Sequence, residues 1–224
     1  TKLISPKQIG SAYGFVRDQV SQGRQIFVVC PRIETSDPKK EIKTGGKQSK
    51  MNILWADAKA VEDEYKKLSQ SVFPDLKVGM LHGKMPARPN GRSVGKPTKE
   101  EVMGKFKKGD IDILVSTSVI EVGVDIPNAT IMMIENAERF GLAQLHQFRG
   151  RVGRGEHQSY CLLFTSSADK NLNQRLKALV ECDDGFLLAE KDMAIRGPGE
   201  FFGVKQSGLP DLAMASLANV DLIK

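Results

Sequence analysis

The residues best equipped for chemistry in this chain lie in one run, Gln147-Phe148-Arg149-Gly150-Arg151-Val152-Gly153-Arg154-Gly155. An arginine keeps its charge at neutral pH, and its planar fork matches the oxygens of a phosphate. Leu142, Leu145, Phe148 and Val152 recur at spacings of three and four, which predicts an amphipathic helix opening near Gly141. On such a helix Gln147, Arg151 and Arg154 fall at i, i+4 and i+7 and share a second face. Two guanidiniums and an amide would then point at one target. Gly150 and Gly153 each cost about 1 kcal/mol against alanine inside a helix, which an ordinary solvated surface helix has no reason to bear. They would keep the stripe thin enough for a ligand or another domain to approach. The run alone leaves its target open among nucleotide phosphates, RNA and an acidic partner.

The same residues resemble motif VI, Q-x-x-G-R-x-G-R, of the superfamily 2 helicases and translocases. The resemblance implies that Gln147, Arg151 and Arg154 reach across a cleft to ATP held on a different domain. It makes the two arginines candidate arginine fingers, which stabilise charge on the transferred phosphoryl group. Upstream, Ile111-Asp112-Ile113-Leu114-Val115 is a β-branched apolar run that reads as a buried strand. Ser118 and Glu121 have capping-box spacing. The run from Val115 to Asp125 resembles motif V of the same superfamily. That resemblance puts the hydroxyls of Thr117 and Ser118 on a nucleic-acid phosphate, and Gly123 and Asp125 at the border of the nucleotide. Free amides and hydroxyls at a helix start suit a phosphate; taken alone, Thr117 would be a plain helix cap. Val78 to Met85 reads as a strand and then a loop. It resembles the segment that contacts the strand backbone in this superfamily, so His82, Gly83 and Lys84 join the DNA-contact candidates by their place ahead of motif V.

An ATPase also needs a phosphate-cradling loop, G-x-x-x-x-G-K-[ST] after a strand. Gly91-Arg92-Ser93-Val94-Gly95-Lys96-Pro97 has the wrong spacing and a proline in place of the hydroxyl, and Thr44-Gly45-Gly46-Lys47-Gln48 ends in glutamine. No Asp-Glu-x-His follows an apolar strand; Asp63-Glu64-Tyr65 lies in a polar helix pattern. The chain therefore reads as the second motor domain of a longer protein. In that protein ATP with Mg2+ would be held mainly by the first motor domain. The chain alone is expected to hydrolyse ATP poorly or not at all.

Composition is compatible with this and excludes other classes. The 224 residues, 40% of them hydrophobic, predict one domain with a small appendage. The net charge of +6 suits a nucleic-acid partner without proving one. There is no apolar run of about 18 residues and no signal-peptide pattern, so no membrane partner is expected. Cys30, Cys161 and Cys182 are widely spaced and the three histidines lack ligand spacing, which predicts no metal site and a reducing, cytoplasmic compartment.

Several elements must position these residues. Ser5-Pro6-Lys7-Gln8 starts a helix that runs to about Gly23. Strands are predicted near 25–30, 77–81, 111–116, 130–135 and 158–164, and helices near 55–70 and 98–108. Residues 32–52 and 84–97 read as loops. Strands alternating with helices give an α/β fold with a parallel sheet and binding loops at its carboxyl edge. The superfamily resemblance makes that sheet RecA-like over residues 1–165. Beyond it, Leu172, Leu176, Leu179 and Val180 stripe one helix, and Phe186, Ala189 and Met193 stripe another. This predicts a helical hairpin with a trailing hook over 166–224.

Asp184-Gly185-Phe186, Ala189-Glu190, Asp192, Arg196-Gly197-Pro198-Gly199-Glu200 and Gln206-Ser207-Gly208 resemble the TRG motif shared by the RecG and Mfd families. Ile134 to Gly141 and Cys30-Pro31-Arg32-Ile33-Glu34 bring the likeness closest to the RecG family, from about residue 2 to at least 218. The resemblance implies an ATP-driven translocase of double-stranded DNA that remodels stalled replication forks and branched recombination intermediates in bacteria. It implies a monomer, working with the first motor domain and an N-terminal DNA-binding domain of the same chain. Arg196 and Gln206 match the positions that couple motor closure to movement; read by itself, Arg196 could simply cap its helix. The stretch from Thr35 to Asn52 and the loop from Pro86 to Pro97 depart from the family pattern. Half of an RNA helicase, an Mfd-like translocase and a non-catalytic module are the competing readings. The hairpin weighs against the first, and intact Arg151 and Arg154 weigh against the last.

Overall fold

The computed structural model describes residues 1–31, 58–86, 97–117, 126–166 and 170–196, without the side chains of 170–173 and 196. Strand β1 is Lys2–Ile4, and a 3-10 turn at Pro6–Gln8 leads into helix α1, Ile9–Ser21. The Gln8 side-chain oxygen accepts from the Ser5 amide (3.1 Å) and hydroxyl (2.8 Å), as the Ser-Pro-x-Gln spacing leads one to expect. Strand β2 is Gln25–Val29. Helix α2 is described from residue 58 and runs into a π-helical turn at Lys67–Val72. Strand β3 is Val78–Leu81 and helix α3 is Lys99–Lys108. Thr98 and Glu101 cap α3 reciprocally, with bonds of 2.9 and 3.2 Å. Strands β4, Ile113–Ser116, and β5, Ala129–Ile134, follow. Then come helix α4, Leu142–Arg149, strand β6, Tyr160–Phe164, and helices α5, Lys170–Glu181, and α6, Gly185–Arg196.

Among the described residues the six strands make one all-parallel sheet in the order β1-β6-β5-β2-β4-β3. Strands β2, β4 and β5 are buried along their whole length, because helices cover both faces. Ile26, Val28, Ile113, Val115, Ile131 and Met133 pack against α1 and α2 through Ala12, Val16, Val61 and Leu68. Phe27, Val29, Leu114, Met132 and Ile134 face the other way, onto Phe106 of α3, Leu145 and Phe148 of α4, and Leu176, Leu179 and Leu188 of the α5–α6 hairpin. The hairpin thus shares a core with the sheet.

Among the buried polar side chains, Gln25 is fully satisfied. Gln25 is buried, and its amide nitrogen donates to the carbonyls of Phe106 (2.6 Å) and Ile111 (2.8 Å). Asn128 donates to the Gln25 amide oxygen at 3.3 Å, so donors and acceptor are all met.

The chain moves outward from β2 in one direction to β3 and, after β4, in the other direction to β5 and β6. The strand order therefore reverses around β2, and the crevice beyond the carboxyl ends of β4, β2 and β5 is the place where an open α/β sheet binds its ligand. No helix among the described residues is long and apolar enough to cross a membrane.

Candidate nucleotide and DNA interface

Helix α4 begins where Gly141 donates to the Gln144 side chain at 3.4 Å, and it buries Leu142, Leu145 and Phe148. Phe148 meets Phe140 edge to face at 5.4 Å. The helix stops at Arg149, with Gly150 as its cap and the Arg151 amide donating to the Phe148 carbonyl at 3.0 Å. This corrects the expectation of one helical face carrying Gln147, Arg151 and Arg154. Gln147 is exposed on the last turn of α4, whereas Arg151, half-buried, and Arg154, exposed, belong to the loop beyond it.

The glycines explain the change of course. Gly153 has φ +88°, a conformation that side chains resist. Gly155 lies so close to the chain that a Cβ there would sit 2.7 Å from the Pro127 carbonyl oxygen. The glycines do not thin a helix; they turn an arginine-bearing loop back onto Pro127, two residues after Asp125. Among the described residues neither Arg151 nor Arg154 has a carboxylate within ion-pair distance. Two guanidiniums without a carboxylate partner on one short loop make it rich in donors and positive charge. That chemistry fits phosphate oxygens and does not fit a metal ion.

The described DNA-contact candidates, His82, Gly83, Lys84 and Thr117, lie at the sheet's carboxyl edge. Leu81 and Val29 are both in register with Ser116, and Val29 is also in register with Ile134. The next residues, His82, Thr117, Cys30 and Glu135, therefore line up across β3, β4, β2 and β5. The Cys30 amide donates to Ser116 at 2.8 Å, and the Glu135 amide donates to Val29 at 2.9 Å. His82 and Thr117 are buried, and Gly83 and Lys84 are half-buried in the turn closed by the Met85 amide on the His82 carbonyl (3.1 Å). Burial, with Lys84 and Lys99 nearby, pushes the His82 pKa down against the pull of Glu62, so the ring is neutral at neutral pH. Its Nδ1 is buried without a partner, as is the Ser116 hydroxyl. The register thus brings His82 and Thr117 together on one edge. Ser118, Gly123, Asp125 and Gln206 lie outside the described residues, and Arg196 is placed only as the last residue of α6.

Two residues of this region were not singled out by sequence reasoning. Arg149 directs its guanidinium inward. Nη1 donates to the carbonyls of Leu179 (2.9 Å) and Cys182 (2.8 Å), and Nη2 donates to that of Asp183 (3.1 Å). Glu135 directly follows β5, and burial, with Glu64 and Glu138 adding and Lys67 opposing, pushes its pKa up to about 7. Lys67 pairs with Glu64 at 2.8 Å. Its pKa is raised despite burial, by Glu135 and by the bond to Glu64. A charged residue closing an apolar strand was the available signal for Glu135. Arg149 carried none, because it occupies a variable position of the motif. Among the described residues no cluster of histidine, cysteine or acidic side chains could hold a metal.

Residues 11–156 match the helicase conserved C-terminal domain. The chain is similar to the ATP-dependent DNA helicase RecG of Synechocystis sp., at 46% identity over 217 residues, covering 97% of this chain and 23% of that protein. RecG of Thermotoga maritima is 44% identical over 217 residues, covering 97% of this chain and 24% of the relative. A solved structure of RecG bound to a three-way DNA junction is 39% identical, with a TM-score of 0.62. It covers 89% of this chain and 22% of that one. The chain thus spans about a quarter of the length of these relatives.

Proposed function

The chain belongs to the helicase conserved C-terminal domain family, and on that premise we propose that it is the second motor domain of a RecG-type, ATP-dependent DNA translocase. Residues 1–165 form the motor domain and 166–224 the extension that couples it to movement. The observation that carries this reading is the loop holding Arg151 and Arg154, turned against Pro127 by Gly155 and matched by no carboxylate among the described residues.

In this reading ATP and Mg2+ are held mainly by a first motor domain of the same protein. ATP supplies the phosphoryl group whose charge the arginines meet. Arg151 and Arg154 approach its oxygens as the cleft closes, with the Gln147 amide as a further contact and Gly123 and Asp125 at the border of the nucleotide. Preorganised donors of this kind act where charge develops. His82, Gly83, Lys84, Thr117 and Ser118 grip one DNA strand along the carboxyl edge. A buried neutral His82 with an unfilled Nδ1 suits a neutral hydrogen bond more than a salt link to phosphate. Closure and reopening then shift that grip along the duplex, by stabilising the closed state when nucleotide is bound. The protein works as a monomer in the bacterial cytoplasm, with an N-terminal DNA-binding domain that engages the fork.

The test is strand separation by the full-length protein. It is expected to open a three-way DNA junction with ATP and magnesium, and to leave an RNA duplex of the same sequence paired. Opening the RNA and not the DNA would favour the RNA-helicase reading. No ATP-dependent opening of either would contradict the motor reading.

A further inference from the structure

Arg149 closes α4, and its side chain reaches a different element. Its guanidinium takes the Leu179 carbonyl in the last turn of α5 and the Cys182 and Asp183 carbonyls of the turn that follows, at 2.8–3.1 Å. The Asp183 carboxylate stands 3.2 Å from Nη1, and the Arg149 side chain is 14% exposed. Carbonyls at a helix carboxyl end lack intrahelical partners, so the arginine of one element completes the end of another. The neighbouring turn is gripped a second time: a Cβ on Gly185 would lie 2.9 Å from Cε1 of His146, so α4 and the start of α6 touch. Asp184 caps α6 by accepting from the Phe186 amide at 2.7 Å, and Arg175 holds α5 to α6 through Asp192 at 3.1 Å. Arg151 is two residues from Arg149.

We infer that Arg149 is a positioning residue: a latch that makes the arginine loop and the α5–α6 hairpin move as one body. The inference rests on the motor reading and deepens it. A displacement of α4 when Arg151 and Arg154 engage phosphate is carried by the Arg149 guanidinium into the hairpin turn, and along α6 to its end at Arg196. Without the latch the arginines can still engage, but the hairpin is no longer obliged to follow.

The test uses full-length protein carrying Arg149→Ala or Arg149→Lys. DNA-stimulated ATP turnover and junction unwinding are measured side by side. Amide exchange over 150–155 and 179–188 is followed with and without a non-hydrolysable ATP analogue and DNA. The expected result for Arg149→Ala is turnover within about two-fold of wild type and unwinding reduced at least ten-fold. The analogue then changes exchange at 150–155 and no longer at 179–188. Arg149→Lys keeps the charge but lacks the fork, and is expected to restore unwinding in part. If Arg149→Ala does not fold, the same comparison in Arg149→Lys decides. Equal loss of turnover and unwinding, loss of neither, or an unchanged exchange response in the hairpin would overturn the inference alone. A wild-type protein that unwinds no DNA would overturn the motor reading and this inference together.

Discussion

Arg149 and Arg151 are two residues apart and face opposite tasks. The first is held by three backbone carbonyls and by the exposed carboxylate of Asp183; the second has no carboxylate partner among the described residues. The motif pattern made Arg151 and Arg154 legible because it is written in residue types at fixed spacing. Arg149 was not legible, because its partners are backbone carbonyls at least 30 positions away, and a carbonyl has no residue type. Glu135 shows the same limit. Its position after Ile131-Met132-Met133-Ile134 was visible, while its burial beside Glu64 and Lys67 depended on α2 crossing that edge. Its pKa, raised from 4.5 to about 7, means that the folded state retains a proton that the unfolded chain has released. Between those values stability falls as pH rises, by roughly 3 kcal/mol for a shift of this size. Glu135→Gln is expected to remove that penalty. Denaturant unfolding from pH 4.5 to 8 would show the variant gaining on wild type as pH rises and levelling above about 8. A difference between the two that is constant with pH would contradict the assignment.

Five of the six strands were readable as elements because each holds a short apolar run, and helices cover both faces of the sheet; β1 was missed, because its three residues, Lys2–Ile4, are too short to show a pattern. The end of α4 was missed as well. The apolar spacing continues through Val152, and Val152 does pack against the same core as Leu145 and Phe148, but from a loop. Periodicity reported the packing correctly and the backbone incorrectly. The glycines held the answer, read as conformation rather than as small size. Gly155→Ala places a methyl 2.7 Å from the Pro127 carbonyl oxygen and 3.3 Å from its carbon, both backbone atoms that cannot swing aside. Overpacking of this kind costs about 1–3 kcal/mol. Displacement of a catalytic group by about 1 Å can cost about 10²-fold in rate. Thermal unfolding of the variant and ATP turnover of the full-length variant should both fall; a variant unchanged in both would mean that the close approach to Pro127 does not set the loop.

Across the whole molecule, the sheet order and the shared core join the carboxyl edge, the arginine loop and the α5–α6 hairpin. In the proposed function the edge carrying His82 and Thr117 is the DNA side, and the loop carrying Arg151 and Arg154 is the nucleotide side. The α/β class and the parallel sheet were legible from the alternation of strands and helices. The alignment of His82, Thr117, Cys30 and Glu135 in one row was not, because it arises from strand register, which local sequence does not encode. The proposed function assigns the arginine loop to ATP and the carboxyl edge to DNA. Arg151→Ala and Arg154→Ala in the full-length protein test it most directly, with ATP turnover measured at saturating junction DNA and DNA affinity measured without nucleotide at fixed salt. Loss of an arginine finger lowers turnover by about 10³-fold or more. The expected result is that collapse in both variants, with DNA affinity within about two-fold of wild type. Variants that kept their turnover and lost DNA affinity would contradict the account and assign the loop to the nucleic-acid groove.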